Sequence, residues 1–384
     1  MTAGKKECVT RRGVKKQKRF LLDSLRNLHR KFCTENDSPI SYITFCQLRP
    51  FWVVEPVAKD RDTCVCVKHA NMQLLVDKLH FGGIIKETST EEICRAACCD
   101  ATMKECMYGE CVKCKSNLIP HLKATNDDEL FYFKWITKKE SRISAKDGQP
   151  IVVQVTKKEK VSASSTILIE TINKELPDFK KHAYRVYHQM MEMKNLKRNL
   201  ENNSCIIHID FSENYACKYG METQSVHFGA SRNQATLHTG VIYYKDENLT
   251  EEYTLRHTSF CTISDSLRHD PSAIWAHLEP VFSEIVKNIS NIETVHFWSD
   301  GPTTQYRNKK NFCIFAQLQR FHSSLKQATW NFSETGHGKG AADGIGGHLK
   351  RQADSLVAHG NDISTPEMFS NYFPKIKDLQ NCSL

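Results

Sequence analysis

Nothing in the 384-residue sequence approaches the roughly 18 consecutive apolar residues that a membrane-spanning helix needs, so no membrane partner is expected. The basic start MTAGKKECVTRRGVKKQKR is not followed by an apolar segment ending in small residues, so it does not read as a secretory signal, and an intracellular protein is expected. The phosphate-loop spacing G-x-x-x-x-G-K-[ST] is missing, which disfavours nucleotide hydrolysis. Internal repeats and heptads are lacking as well. Hydrophobic residues at 40% and charged residues at 25% exclude a wholly disordered, collagenous or coiled-coil chain. A chain of this length has room for two or three folded units.

What is present is unevenly placed. The net charge is +9, and residues 1–19 hold Lys5, Lys6, Arg11, Arg12, Lys15, Lys16, Lys18 and Arg19 against the single acid Glu7. Such a block reads as a nuclear-import signal or a nucleic-acid arm, with a solvated, disordered tail as the plainer alternative. Sixteen cysteines are a second excess. Intracellular thiols are kept reduced, so metal ligation is the use to test. Between 64 and 114 lie Cys64-x-Cys66-x2-His69, Cys94-x3-Cys98-Cys99 and Cys106-x4-Cys111-x2-Cys114. Structural zinc draws four Cys or His ligands from close pairs, and these nine candidates could hold two Zn²⁺ ions with one to spare. The spacing matches no standard finger, and buried free thiols are the alternative. Nine ligands in about fifty residues favour zinc.

Along the chain, Leu21, Leu25, Leu28 and Phe32 predict a short amphipathic helix with Arg26, Arg30 and Lys31 on its polar side. From about 120 to 170 the chain is polar, with the strand-like runs LFYFKWI and IVVQV. A helix near 177–200 is marked by Leu176, Phe179, Ala183, Val186, Tyr187, Met190 and Leu200. From 203 onward the runs CIIHIDF, ATLHTGVIYYKD and EEYTLRHTSFCTISD predict three strands, and PSAIWAHLEPVFSEIVKNIS a helix. ETVHFWSD predicts a strand, TTQYRNKKNFCIFAQLQRFHSS a helix, ATWNFSE a strand and KGAADGIGGHLKRQADSLVAHG a helix. The series β-β-β-α-β-α-β-α is the element order of an α/β fold of ribonuclease H-like type, a mixed sheet flanked by helices. The expected organisation is a basic disordered arm over 1–19, a helical and Cys/His-rich zinc module over 20–120 and a connecting region over 121–202. A ribonuclease H-like catalytic domain over 203–360 and a C-terminal tail over 361–384 complete it.

Three acids stand at matching points of that order. Asp210 ends CIIHID, Asp300 ends TVHFWSD, and Asp343 opens the last helix after HGKGAA. Ligands gather at the carboxyl ends of parallel strands, so Asp210 and Asp300 meet there if their strands are neighbours, and Asp343 could complete the cage. Three acids suffice for two Mg²⁺ or Mn²⁺ ions, the arrangement that makes a nucleophile and neutralises a leaving oxygen in phosphoryl transfer. Each acid alone reads as turn chemistry; three together reverse that reading. Glu334, 34 residues after Asp300, is the alternative third acid to Asp343, which lies 43 after it. His337 and Lys339 in the glycine-rich loop are candidates for the scissile phosphate. Arg307, Lys309 and Lys310 are candidates for flanking DNA phosphates, with a solvated surface as the plain alternative.

The segments HIDFSENYACKYGMETQSVHFGASRNQATLHTG, SFCTISDSLRHD, HFWSDGPTTQYRNKKNF and NFSETGHGKGAADGIGGHLKR resemble the transposase-like proteins present in multiple copies in animal genomes. Those belong with the eukaryotic cut-and-paste DNA transposases that carry a catalytic acidic triad on a ribonuclease H-like core. The likeness covers about 200–355, with TFCQLRPFWV and CVCVKHANMQLL extending it upstream. It implies a nuclear, metal-dependent DNA nuclease and strand transferase that works as a homo-oligomer, with Asp210 and Asp300 as the first two acids and Asp343 as the third. The reading from a different class is a catalytically silent DNA- or chromatin-binding protein.

Overall fold

The computed structural model describes residues 8–21, 25–36, 39–54, 65–114, 129–143, 148–229, 232–245, 255–289 and 291–373. They fall into two compact units, residues 1–65 and 66–384.

In the first unit the basic arm is not featureless: β1 (Cys8–Arg11) pairs antiparallel with β2 (Val14–Gln17). Strand β3 (Arg19–Phe20) then runs parallel to β4 (Val53–Val54). Between them lie α1 (Leu25–Asn36) and α2 (Tyr42–Leu48), the latter started by Ser41, whose hydroxyl accepts from the Thr44 amide at 3.1 Å. Leu25, Leu28 and Phe32 are half-buried while Arg26, Arg30 and Lys31 are exposed, as the helical spacing predicts.

The second unit opens with α3 (Val67–Phe81), α4 (Thr90–Ala96) and α5 (Lys104–Tyr108). The strand-like runs LFYFKWI and IVVQV become a single ribbon, β5 (Glu129–Ile143) against β6 (Pro150–Ser164), in register from Glu129 opposite Ser164 to Ile143 opposite Pro150. A helix of 34 residues, α6 (Ser165–Arg198), follows directly, its first turn capped by the Ser164 hydroxyl. It begins twelve residues before the sequence expectation, and at 1.5 Å per residue it is about 50 Å long. Leu168, Ile172, Leu176 and Phe179 from its first half close a core with Met72, Leu75, Val76 and Leu79 of α3 and Ile93 of α4.

The remainder is a five-stranded mixed sheet. Its strands are β7 (Ser204–Ala216), β8 (Gln234–Lys245), β9 (Leu255–Ser264), β10 (Thr294–Ser299) and β11 (Gln327–Phe332), in the order β11-β10-β7-β8-β9. The first three in sequence pair antiparallel, and β10 and β11 join parallel on the other side of β7. The short helix α7 (Gln224–Gly229) sits between β7 and β8. On one face Cys205, Ile207 and Ile209 of β7 pack on Ile274, Leu278, Phe282 and Ile285 of α8 (Pro271–Asn288). On the opposite face Leu237 and Val241 of β8 meet Ile345, Leu349 and Ala353 of α11 (Ala341–Ala358). Alternation of side chains along a strand separates the two cores.

Two sequence expectations change here. The single helix over 303–324 is two short ones, α9 (Lys309–Phe315) and α10 (Leu318–Phe321). Residues 303–308 form turns instead, with the Gln305 and Arg307 amides donating to the Pro302 carbonyl and Asn308 capping α9. The tail beyond 360 is also structured through residue 373. Ile363 exchanges both backbone hydrogen bonds with Lys218, and Phe369 of α12 (Pro366–Tyr372) is fully buried against Tyr215. Among the described residues no helix is long and apolar enough to cross a membrane.

Candidate functional site

Strand register brings the first two acids together. His208 of β7 lies opposite Trp298 of the parallel neighbour β10. Two residues further along each chain come Asp210 and Asp300, on neighbouring strands about 4.8 Å apart. Asp300 directly follows the last residue of β10, but Asp210 does not end its strand as the sequence suggests: β7 runs on to Ala216, paired with β8, and only its pairing with β10 stops at His208. Asp210 lies opposite Thr239 of β8, whose hydroxyl donates to the Ala342 carbonyl at 3.0 Å, so both belong to the face covered by α11. Asp343, third residue of α11, is exposed, and its Oδ2 accepts from the Gly340 amide at 2.8 Å. The loop before α11 passes close to the second acid: a Cβ on Gly338 would lie 2.6 Å from the Asp300 Cβ.

The electrostatics follow from this convergence. Burial, then the Asp300 and Asp343 charges, push the Asp210 carboxyl up to about 7. Burial and Asp343 raise Asp300 too. The Oδ1 of Asp300 is sealed from solvent with no hydrogen-bond partner. Tyr306, fully buried, donates or accepts at His238 Nε2 (3.1 Å) and feels both acids, which raise its pKa beyond the effect of burial. His208, on the same strand face as Asp210, is lowered to about 4 by burial and by Lys197, against an opposing pull from Asp343.

Glu334, the alternative third acid, is engaged elsewhere. Its Oε1 accepts from His182 Nδ1 at 3.0 Å and Arg185 Nη2 at 3.0 Å, and its Oε2 from Arg185 Nε at 3.1 Å. Burial alone would raise this carboxyl, but the Arg185 and His182 hydrogen bonds hold it below the ordinary value. Arg307, Lys309, Lys310 and Lys339 are exposed, with the Arg307 guanidinium 5.8 Å from the Phe332 ring centre. His337 does not join them. It lies against His69 and His182, ring centres 4.9 and 5.2 Å away.

The nine zinc candidates also separate. Cys99, Cys106, Cys111 and Cys114 gather with their sulfur atoms within 4.8 Å of one another, a Cys-rich cluster able to hold a metal such as zinc. Cys99 Sγ lies 3.7 Å from Cys106 Sγ and 3.6 Å from Cys111 Sγ. A tetrahedron of Zn–S bonds near 2.3 Å has edges of about 3.8 Å. Backbone amides of Cys114 and Lys113 draw the Cys111 thiol down to about 6, while the neighbouring Cys114, Cys111 and Cys106 push Cys99 up to about 12. Cys94 and Cys98 sit in the hydrophobic core instead, Cys98 donating to the Cys94 carbonyl, and burial pushes Cys94 up to about 12. Cys64 lies outside the described residues. Cys66 and His69 join a second set, with His182 and His337, whose ligand atoms again lie within 4.8 Å of one another. His182 was not a sequence candidate. The three acids are not among such tight sets found in the described residues, so they are spread more widely than the ligands of one tetrahedral ion.

A family model described as Domain of unknown function (DUF8701) matches residues 189–382, half of the chain, and the chain belongs to that family. A second, described as Domain of unknown function (DUF8699), matches residues 1–57. No curated protein and no solved structure matches the chain.

Proposed function

We propose that this member of the DUF8701 family is a metal-dependent phosphoryl-transfer enzyme acting on DNA, a nuclease and strand transferase of transposase type. Asp210, Asp300 and Asp343 would hold two Mg²⁺ or Mn²⁺ ions. The observation that carries the reading is the meeting of Asp210, midway along β7, with Asp300, just past the end of the neighbouring β10, under the start of α11, with a buried Asp300 oxygen lacking any partner. A buried carboxylate oxygen without a donor, in a group whose pKa is raised by burial and by the Asp343 charge, fits a cation. The sheet order, with β7 central, β8 and β9 following it as an antiparallel meander on one side and the parallel strands β10 and β11 on the other, supports a ribonuclease H-like core.

Divalent ions, when bound there, would supply a nucleophile at neutral pH and neutralise the charge of the leaving oxygen. The chain's own residues do the rest. Asp210 and Asp300 grip from two strands and Asp343 from the helix above them. Asp343 is the third acid in this reading, because the Glu334 carboxylate is taken up by Arg185 and His182. The absence of side chains at Gly338 and Gly340 lets the loop pass close against Asp300 and the His208 ring, respectively. Arg307, Lys309, Lys310 and Lys339 hold flanking phosphates without reading sequence. The basic arm, partly a β-hairpin, suits a nuclear, DNA-binding protein.

The test is nicking of supercoiled plasmid by the purified chain with Mg²⁺ or Mn²⁺, compared with Asp300→Ala. Nicking that needs the divalent ion and falls to background in the variant is the expected result. Equal nicking by both proteins would refute it. DNA binding that weakens with salt, without cleavage, would support the catalytically silent DNA-binding reading instead.

A further inference from the structure

Four side chains from three distant segments converge beside the acid pocket. Cys66 immediately precedes α3 and His69 lies in its first turn; His182 lies midway along α6; His337 lies in the loop between β11 and α11. Cys66 Sγ is 3.3 Å from His182 Nε2, and His337 Nε2 is 3.3 Å from the same His182 Nε2. Tetrahedral zinc with Zn–N near 2.05 Å and Zn–S near 2.3 Å has N···N edges of about 3.3 Å and S···N edges of about 3.6 Å. The observed spacings are close to those of such a shell. Two imidazole nitrogens and a thiol pointed at one spot make poor mutual hydrogen bonds, and a cation at the centre would satisfy all of them.

Two further observations point the same way. The Nδ1 of His69 is sealed from solvent with no hydrogen-bond partner. The Nδ1 of His182 faces Glu334 Oε1 at 3.0 Å, the carboxylate–histidine pairing that orients a ligating ring. Glu334 is itself fixed by Arg185 and by its own amide donating to Gln189 Oε1 at 2.7 Å. The loop reaches this place through Gly336, which has φ +78° and sits so close to Cys66 that a Cβ there would lie 3.2 Å from the Cys66 Cα.

We propose that Cys66, His69, His182 and His337 bind a structural zinc ion, with Glu334 as the positioning residue behind His182. The ion ties α3 and α6 to the 333–340 loop. That loop carries Gly338 against Asp300, so the same clamp sets the wall of the acid pocket. The site is separate from the four-cysteine cluster and needs no catalytic activity to be detected.

The test is zinc content of the full-length chain, measured by mass spectrometry after passage over a chelating resin, with cobalt substitution as a second readout. His337→Ala and His182→Ala should each carry one ion fewer per chain than the wild type. Cys106→Ser should lose a different ion, so the double variant loses both. His337→Cys, which keeps four donors, should retain the ion, and its cobalt form should gain the charge-transfer intensity of an added thiolate. Glu334→Gln should keep the ion at saturating zinc but release it about 10- to 100-fold more readily to a competing chelator. Unchanged zinc content in both histidine variants would overturn the proposal. Should the alanine variants prove insoluble, His337→Cys decides, and a cobalt spectrum with no added thiolate overturns it.

Discussion

The two thiol and imidazole sets are built alike and strung differently. Cys99 and Cys111, in contact within the four-cysteine cluster, are 12 residues apart. In the mixed set, Cys66 and His182 are 116 apart, and His182 and His337 are 155 apart. Closing a loop costs free energy that grows with the logarithm of its length, so each long closure costs about 2 kcal/mol more than the short one. A cross-link over a long loop relieves the folded state of competition from a larger unfolded ensemble. A metal in the short cluster would therefore staple one segment, whereas one in the long set would hold three segments of the unit in place.

That contrast can be broken by experiment. The largest effect belongs to His337→Ala, expected to destabilise the 66–384 unit by about 5 kcal/mol, as loss of a structural metal does, and to expose the 333–340 loop to hydrogen exchange. A midpoint of urea unfolding equal to that of the wild type would remove the distinction between the sets. Next is the carboxylate pocket, which belongs to neither. Asp210 titrates near 7 in the fold against an ordinary 3.8, so the folded state holds a proton that the unfolded chain has released between those values. Stability from this group therefore falls as pH rises from about 4 to 7 in metal-free protein. Asp210→Asn should gain stability over the wild type across that window, by about 4 kcal/mol at pH 7, and Mg²⁺ should erase the gain. A gain that is flat with pH would contradict the pocket's electrostatics. Cys106→Ser comes third, costing about 2 kcal/mol with exchange protection lost around 99–114 and kept in the sheet. Loss of protection throughout β7 and β10 would show that the short cluster is not local. Last is Glu334→Gln, about 10- to 100-fold in zinc affinity with little change in the stability of the zinc-saturated fold, and with nicking retained. Abolished nicking at full zinc occupancy would return Glu334 to the acids.

Legibility in the sequence divides along the same line. The close spacing of Cys99, Cys106, Cys111 and Cys114 is a local signal, and so are the apolar runs that end at Asp210 and Asp300. His182 has no ligand partner nearby in the chain. Its one trace is a polar stripe, His182, Arg185 and Gln189, at helical spacing on a helix whose sequence signal is its apolar face, and all three reach the segment around Glu334. His337, set in HGKG, carries the look of a phosphate contact, and only the fold turns it toward His182. The ribbon of β5 and β6 was seen only as fragments. Most of its length is exposed on both faces, so lysines and glutamates interrupt the alternation that marks a half-buried strand. Its ion pairs, Lys138 with Glu159 and Lys157 with Glu140, cross strands and have no local signature.

The central claim is that Asp210, Asp300 and Asp343 share divalent ions. Anomalous diffraction from crystals of the full chain soaked in Mn²⁺ addresses it without reference to substrate. Manganese peaks ligated by Asp210 and Asp300, with Asp343 on the far side and Glu334 still bound to Arg185, are predicted. Manganese found only elsewhere on the chain, with the Asp300 Oδ1 unligated, would contradict the account.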